Sequence, residues 1–470
     1  MNLSKERALA LTGLFLSVIF LAYGPGREES IPLLIGYGVA FSCFAVLLFL
    51  KEWKWNTVLW SSIGIRVALL AAPITWTDDH FRYIWDGICS INGIQPFAYT
   101  PLELVGSEPG LFSADLFQQL NSPDYYTVYP PVAQAMFGFA AWIGKGQVLP
   151  TTIVLRVISI LCDMIGILLL RRVLSAYRAP TERVLWYALN PLVVLELTVN
   201  VHTEVLLMPL FFGMILLLHR RPIDSAVLLA LIASIRLWPL LLLLAIPSIL
   251  GIRIGIRYGL VVIGIFLLSW VPLWTPELTL HFWSSLRLFM ADLEFNGGAY
   301  ELLRRMIGDE LVKATGLLPV LTFAALLAFT LYHWRKPHRD VPTLFFGLVA
   351  IHLFGSQAVH PWYIIPLIGL AAVTGRWWPL AWSLLIFPTY LTYGHDPYAQ
   401  PYAWIAIEYM VLGVLIVGGA LLRGRIRMNP KVEVHAPWEL DHTVTDPASC
   451  YGEVPHRSQK GKGIGSQQIP

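Results

Sequence analysis

The chain has 470 residues, of which 56% are apolar and 13% charged, with a net charge of +3 and a mean hydropathy of +0.62. A soluble globular chain carries about 45–50% apolar and about 25% charged residues, so a cytosolic enzyme, a secreted disulfide scaffold and a nucleic-acid binder are excluded. At about 20 residues per crossing the apolar content supplies roughly 13 spans, and the predicted class is an all-α polytopic membrane protein.

At the N-terminus Lys5, Glu6 and Arg7 precede an apolar stretch from Ala8 to Tyr23. No small-residue cleavage site follows and many apolar segments do, so this stretch reads as a retained first helix. Apolar segments bounded by charge or proline predict further helices at about 31–50, 58–75, 151–170, 183–198, 204–219, 223–236, 238–250, 255–275, 312–334, 341–358, 361–375, 378–394 and 402–422. This is a bundle of about 13–14 spans. With a cytoplasmic N-terminus, Lys and Arg divide 20 to 6 between the two sides of this pattern, the bias that orients membrane proteins. Both termini are then cytoplasmic, and the minority is Arg27, Arg82, Lys145, Arg287, Arg304 and Arg305.

Two elements need separate treatment. Counting Tyr129–Gly144 as a crossing would move the Arg171–Arg183 cluster to the other side, and its 16 residues fall short of about 20. It is therefore expected to be a helix at the outer surface. Residues 223–250 are too long for one span and contain Arg236, Pro239 and Pro247, which predicts two short helices meeting near Arg236.

The pattern makes one multi-pass domain over residues 1–422, with a large first extracytoplasmic loop at about 77–150 carrying surface helices and a second at about 276–311. Residues 423–470 read as a disordered cytoplasmic tail. No internal repeat is visible. The four cysteines are too scattered for a disulfide framework.

The densest polar constellation is TDDHFRYIWDG, Thr77 to Gly87. In a helix Asp78, Arg82 and Asp86 share a face at i, i+4 spacing. The plain reading is that Asp78 caps a surface helix above a solvated ion-pair strip. The pair Asp78, Asp79 beside Phe81, Tyr83 and Trp85 at a membrane boundary also suits a carboxylate acting as general base on a hydroxyl. Other polar groups lie within or at the ends of apolar segments, where each is costly: Asn190, Glu196, Asn200, His202 and Glu204 around one turn, Arg236 at the broken junction, and His352 and His360 with Trp362 and Tyr363. Singly, each could be a packing hydrogen bond or a snorkelling side chain. Together, acid, arginine and histidine at one rim suit a hydroxyl nucleophile and a phosphate leaving group. No HExxH, cysteine pair or cation-loop spacing signals a metal. Asp78 and Asp79 are the only suggested divalent-cation ligands, and no cofactor is expected.

The runs DDHFRYIWDGICSINGIQPFAYTP (Asp78–Pro101), YPPVAQAMF (Tyr129–Phe137), NPLVVLELTVNVHTE (Asn190–Glu204), EFNGGAYELLRR (Glu294–Arg305) and HPWYIIPL (His360–Leu367) resemble bacterial polyprenyl-phosphate-mannose-dependent mannosyltransferases of the GT-C glycosyltransferase superfamily, from about residue 58 to 400. The resemblance implies an inverting transferase in the cell membrane. It would move a hexose, mannose by this likeness, from a polyprenyl-phosphate donor to a lipid or glycan hydroxyl on the outer face. By the same likeness the catalytic aspartate is Asp78 or Asp79, with a slight preference for Asp78 at the membrane-proximal start of the helix, and His360 faces the donor phosphate. Arg82 and Arg236 are added as phosphate partners, Tyr83, Asp86 and His202 as further donor-side candidates, and Glu204, Asn296, Trp362 and Tyr363 as acceptor or cavity candidates. The His202–Thr203–Glu204 turn departs from the family, where a shorter Asn or Asp is expected after the histidine. Two rival readings are a secondary transporter or flippase for a lipid-linked sugar and a structural envelope subunit with a degenerate site.

Overall fold

The computed structural model describes residues 3–50, 52–108, 110–291, 293–335, 340–394 and 399–427, all within one unit, Met1–Asn429. Its elements are helices, and the described residues hold no strand, only isolated bridges pairing Phe295 and Asn296 with Ala358. The all-α polytopic class is thus as predicted.

Apolar runs whose prolines, where present, stand in the first turn, as Pro32 and Pro150 do, form the long helices. These are α1 (Leu3–Tyr23), α2 (Ser30–Phe49), and, after the shorter α3 (Trp55–Ala68), α4 (Asp79–Ile91), α5 (Pro101–Ser107), α6 (Ala114–Gln118) and α7 (Pro131–Gly144), the 29-residue α8 (Val148–Ala176). The next apolar stretch is broken into α9 (Leu185–Ala188), α10 (Pro191–Val194) and a π-turn (Leu195–Val199) before α11 (Glu204–Leu217). Then come α12 (Pro222–Ala233), a 3-10 turn (Trp238–Leu244), α13 (Ile246–Leu250), α14 (Ile252–Trp270), α15 (Leu278–Ala291), α16 (Gly298–Ile307), α17 (Asp309–Thr315), α18 (Leu317–Trp334) and α19 (Val341–Phe354). A 3-10 turn (Pro361–Ile364), α20 (Ile365–Thr374), α21 (Trp378–Leu385), a further 3-10 turn (Phe387–Gly394) and α22 (Tyr402–Arg427) complete the described chain.

Among the described residues six helices are long and apolar enough to cross a membrane, or seven if the bent pair around residues 191–217 is one span. Fewer segments are continuous than the fourteen apolar stretches suggest, because Pro191, Pro239, Pro247, Pro361 and Pro379 start new helices inside or beside apolar runs; proline cannot donate the helix hydrogen bond and clashes with the preceding turn. The predicted junction at Arg236 is such a break. At 14 residues, α7 is shorter than a crossing. α22 runs to Arg427, and the remainder of the predicted tail lies outside the described residues.

Two buried cations tie the bundle together. Arg66 of α3 meets Asp163 of α8 with Nη2 and Nε both 2.6 Å from Oδ2, while Tyr187 donates to Oδ1 at 2.8 Å and Arg66 Nη1 donates to Ala188 O at 3.0 Å. Neither charge is exposed, so each is tolerable only because the other and these hydrogen bonds are present. Arg156 of α8 serves the broken helix. The segments Pro191–Val199 and Glu204–Leu217 meet at 118°, and Arg156 donates to the freed carbonyls of Thr198 at 3.0 Å and Val199 at 3.1 Å, as well as to Leu70 O at 3.0 Å. A side chain thereby satisfies backbone that lipid would not.

The core holds one large apolar cluster through α1, α2, α8, α11, α19 and α20, and a smaller one in which α4 packs on α7 around Tyr83, Trp85 and Phe137. Gly87 allows that second contact: a Cβ there would lie 2.5 Å from Phe137 O. After α3 the chain runs back to the α1–α2 loop, where buried Trp76 donates Nε1–H to Pro25 O at 3.0 Å. This anchor sets Thr77–Asp79 beside Arg27.

Candidate active site

One cavity of about 840 Å³ gathers Asp78, Asp79, Arg82, Arg236, His360, Trp362 and Tyr363, together with Arg27. Seven of the twelve sequence candidates therefore share one wall-to-wall space, of a size common for ligand sites. Leu237, Leu286, Leu288 and Leu293 supply apolar lining.

The two adjacent carboxylates face different partners. Asp78 stands at the N-cap of α4 but makes no capping hydrogen bond, contrary to the plain reading; its Oδ2 instead accepts from Arg27 Nη2 at 2.8 Å. Arg27 also lies over the ring of Tyr393, 4.8 Å from its centroid. Asp79 has no cationic guanidinium within salt-bridge reach among the described residues. Its Oδ1 accepts from Asn121 Nδ2 at 3.3 Å, and its Oδ2 lies 3.8 Å from His202 Nδ1. Burial first, then the charge of Asp79, pushes the Tyr129 phenol far up; both residues line the cavity. The described residues contain no group of three or more His, Cys, Asp or Glu placed to hold a metal ion.

Arg82 and Asp86 form an ion pair, Nε to Oδ1 2.9 Å, but a buried one, not a solvated strip. Arg82 also donates to Ser122 O at 3.2 Å and Tyr125 O at 2.9 Å, while Asp86 accepts from Thr127 Oγ1 at 2.5 Å and Gln134 Nε2 at 2.8 Å. The pair ties residues 122–127, one wall of the cavity, to α4 and α7, and Asp86 itself does not line the space. Tyr83 is likewise withdrawn: it stacks on Phe137 at 4.4 Å and is fully buried.

Arg236, at the break after α12, enters the cavity between Tyr129 and Tyr363, 5.7 and 5.6 Å from their ring centroids. Behind it Glu204, at the start of α11, holds Nε at 2.9 Å. Glu204 is thus the counter-charge of Arg236, buried outside the cavity lining. His202 is also buried behind the lining, its ring stacked on Trp362 at 3.6 Å. Trp362 stacks in turn on His360 at 4.5 Å, and His360 on Phe295 at 4.2 Å. Burial, with the nearby His202 and Arg236, lowers His360 to about 3, so it meets the cavity as a neutral imidazole.

Asn296 is the clearest departure from expectation. Its side chain donates to Glu408 at 3.1 Å, its N–H to Gln400 Oε1 at 2.9 Å, and its carbonyl accepts from Tyr409 at 2.8 Å. It is buried against α22, while its neighbours Glu294 and Phe295 face the cavity. The Phe295 carbonyl accepts from Val359 N–H at 2.6 Å, so the EFNGG run is a clamp that holds the His360 loop. Sequence reading missed Arg27 and Asn121, which also line the cavity. Arg27 carried a usable signal, since it and Arg82 are minority-side cations and both line the cavity.

Residues 9–251 match the family model described as alpha-(1->6)-mannopyranosyltransferase, N-terminal domain. That span includes Asp78, Asp79, His202, Glu204 and Arg236, and stops before His360. No curated protein matches the chain.

Proposed function

The chain belongs to the alpha-(1->6)-mannopyranosyltransferase family, and we propose that it moves a mannosyl unit from a polyprenyl-phosphate carrier to a hydroxyl of a lipid or glycan acceptor. The carrying observation is the convergence of the Asp79 carboxylate and the Arg236 guanidinium on one cavity that also has an apolar wall. In this reading the cavity opens on the extracytoplasmic face of the cell membrane and both termini are cytoplasmic, as the 20 to 6 split of basic residues favours.

The reaction is a single displacement. Asp79 takes the proton of the acceptor hydroxyl, the freed oxygen forms a bond to the anomeric carbon, and the bond from that carbon to the phosphate oxygen breaks with its electron pair. Polyprenyl phosphate leaves, with Arg236 donating charge-assisted hydrogen bonds to it and neutral His360 donating a weaker one. One carboxylate suffices, unlike the pair used in glycoside hydrolysis. Asp79 is preferred over Asp78 because Asp78 is already engaged by Arg27.

The bent pair at residues 191–217 is the kind of broken helix on which transporters are also built, so the test must separate the two. Purified protein in detergent, with lipid-phosphate mannose and total lipid and glycan extract but no membrane gradient, is expected to consume the donor and mannosylate an acceptor. Intact donor after prolonged incubation, with donor movement across vesicles, would establish the transporter reading instead.

A further inference from the structure

Glu196 and His202 take no part in the displacement above, yet they stand in line behind its base. Glu196 lies in the π-turn and His202 in the elbow after it, where Val201 adopts a φ of 51° and the His202 N–H donates to Glu196 O at 3.2 Å. Both side chains are wholly buried. His202 Nε2 is 3.3 Å from Glu196 Oε2, and Nδ1 is 3.8 Å from Asp79 Oδ2. Among the described residues neither ring nitrogen has a hydrogen-bond partner, and the ion-pair contacts that they make are with these two carboxylates. Trp362 covers the ring face, and Glu196 is itself fixed by Tyr390 Oη–H and Asn200 Nδ2–H, each at 2.8 Å.

A buried carboxylate and imidazole are costly in this setting, and packing alone does not call for both nitrogens to face acids. Resting on the reading of Asp79 as base, we propose that Glu196 and His202 are positioning residues that hold the Asp79 carboxylate in its reactive orientation. The arrangement is a carboxylate–imidazole–carboxylate line, the logic by which a buried acid orients a histidine in hydrolytic triads, with the outermost acid here as the working base. At 3.8 Å the contact of His202 Nδ1 with Asp79 Oδ2 is electrostatic rather than a hydrogen bond.

Glu196→Gln and His202→Gln are assayed with lipid-phosphate mannose as donor. Each is expected to lower kcat about 100-fold, the scale of an ångström misplacement, with donor KM unchanged because neither side chain reaches the cavity. Since the line acts as a unit, the same substitutions in an Asp79→Asn background leave the residual rate unchanged. A loss confined to KM, or one that multiplies the Asp79→Asn loss, overturns the proposal. Should Glu196→Gln fail to fold, Glu196→Asp, which keeps the charge and shortens the reach, carries the same test. A wild type that transfers no mannose is a different result: it defeats the choice of function itself.

Discussion

Asp79→Asn is expected to lower kcat by about 10²- to 10⁴-fold, the contribution of a general base, without weakening donor binding. The amide keeps the size of the side chain and its contact with Asn121, but cannot take the acceptor proton. Asp78→Asn serves as the internal comparison. Its carboxylate is 30% exposed and paired with Arg27, and partly solvated pairs of this kind contribute up to about 1 kcal/mol, so a loss below about tenfold is expected. Steady-state kinetics of the two variants side by side decide between the aspartates; a larger loss for Asp78→Asn would transfer the role to it.

Arg236 carries the second large effect, on both activity and folding. Removing one preorganised donor to a developing anion costs about 2.7–4 kcal/mol in other enzymes, so Arg236→Gln should lower kcat by about 10²- to 10³-fold. The same change strands Glu204, which is 2% exposed in its side chain, and an unpaired buried charge destabilises by about 3–5 kcal/mol. The combined variant Arg236→Gln/Glu204→Gln removes that penalty. Thermal unfolding should therefore show recovery in the double variant, while its transfer rate stays as low as that of Arg236→Gln. Recovery of both would make Arg236 a purely structural cation.

The legible part of this protein is what apolar context makes expensive. Arg236 in an apolar run, the Asp78–Asp79 pair at a boundary and His360 before proline are visible from sequence because each is hard to place without a reason, and the cavity lining contains all four. Contacts between distant segments are not visible. Arg27 and Asp78 are 51 positions apart, and their meeting depends on Trp76 docking onto Pro25. Helical spacing correctly put Arg82 and Asp86 together but could not tell an exposed face from an inward one: the pair is buried and fastens a cavity wall, with Arg82 in the lining. Asn296 misled for a related reason: a polar residue in a Gly-rich loop suggests a ligand contact, whereas here close backbone approach at Gly297 to Gln357 O makes the loop a clamp. Proline is read as a divider at 223–250, where Pro239 and Pro247 do begin new helices, but not at Pro191, which begins another inside the stretch read as 183–198.

The most direct test of the account is the anomeric configuration of the transferred sugar. Donor of defined configuration is given to the purified wild-type protein and the glycosidic product is read by nuclear magnetic resonance. A single displacement driven by one carboxylate predicts an inverted anomeric centre in the product. Retention would require a covalent intermediate and a second working carboxylate, and would contradict the mechanism assigned to Asp79.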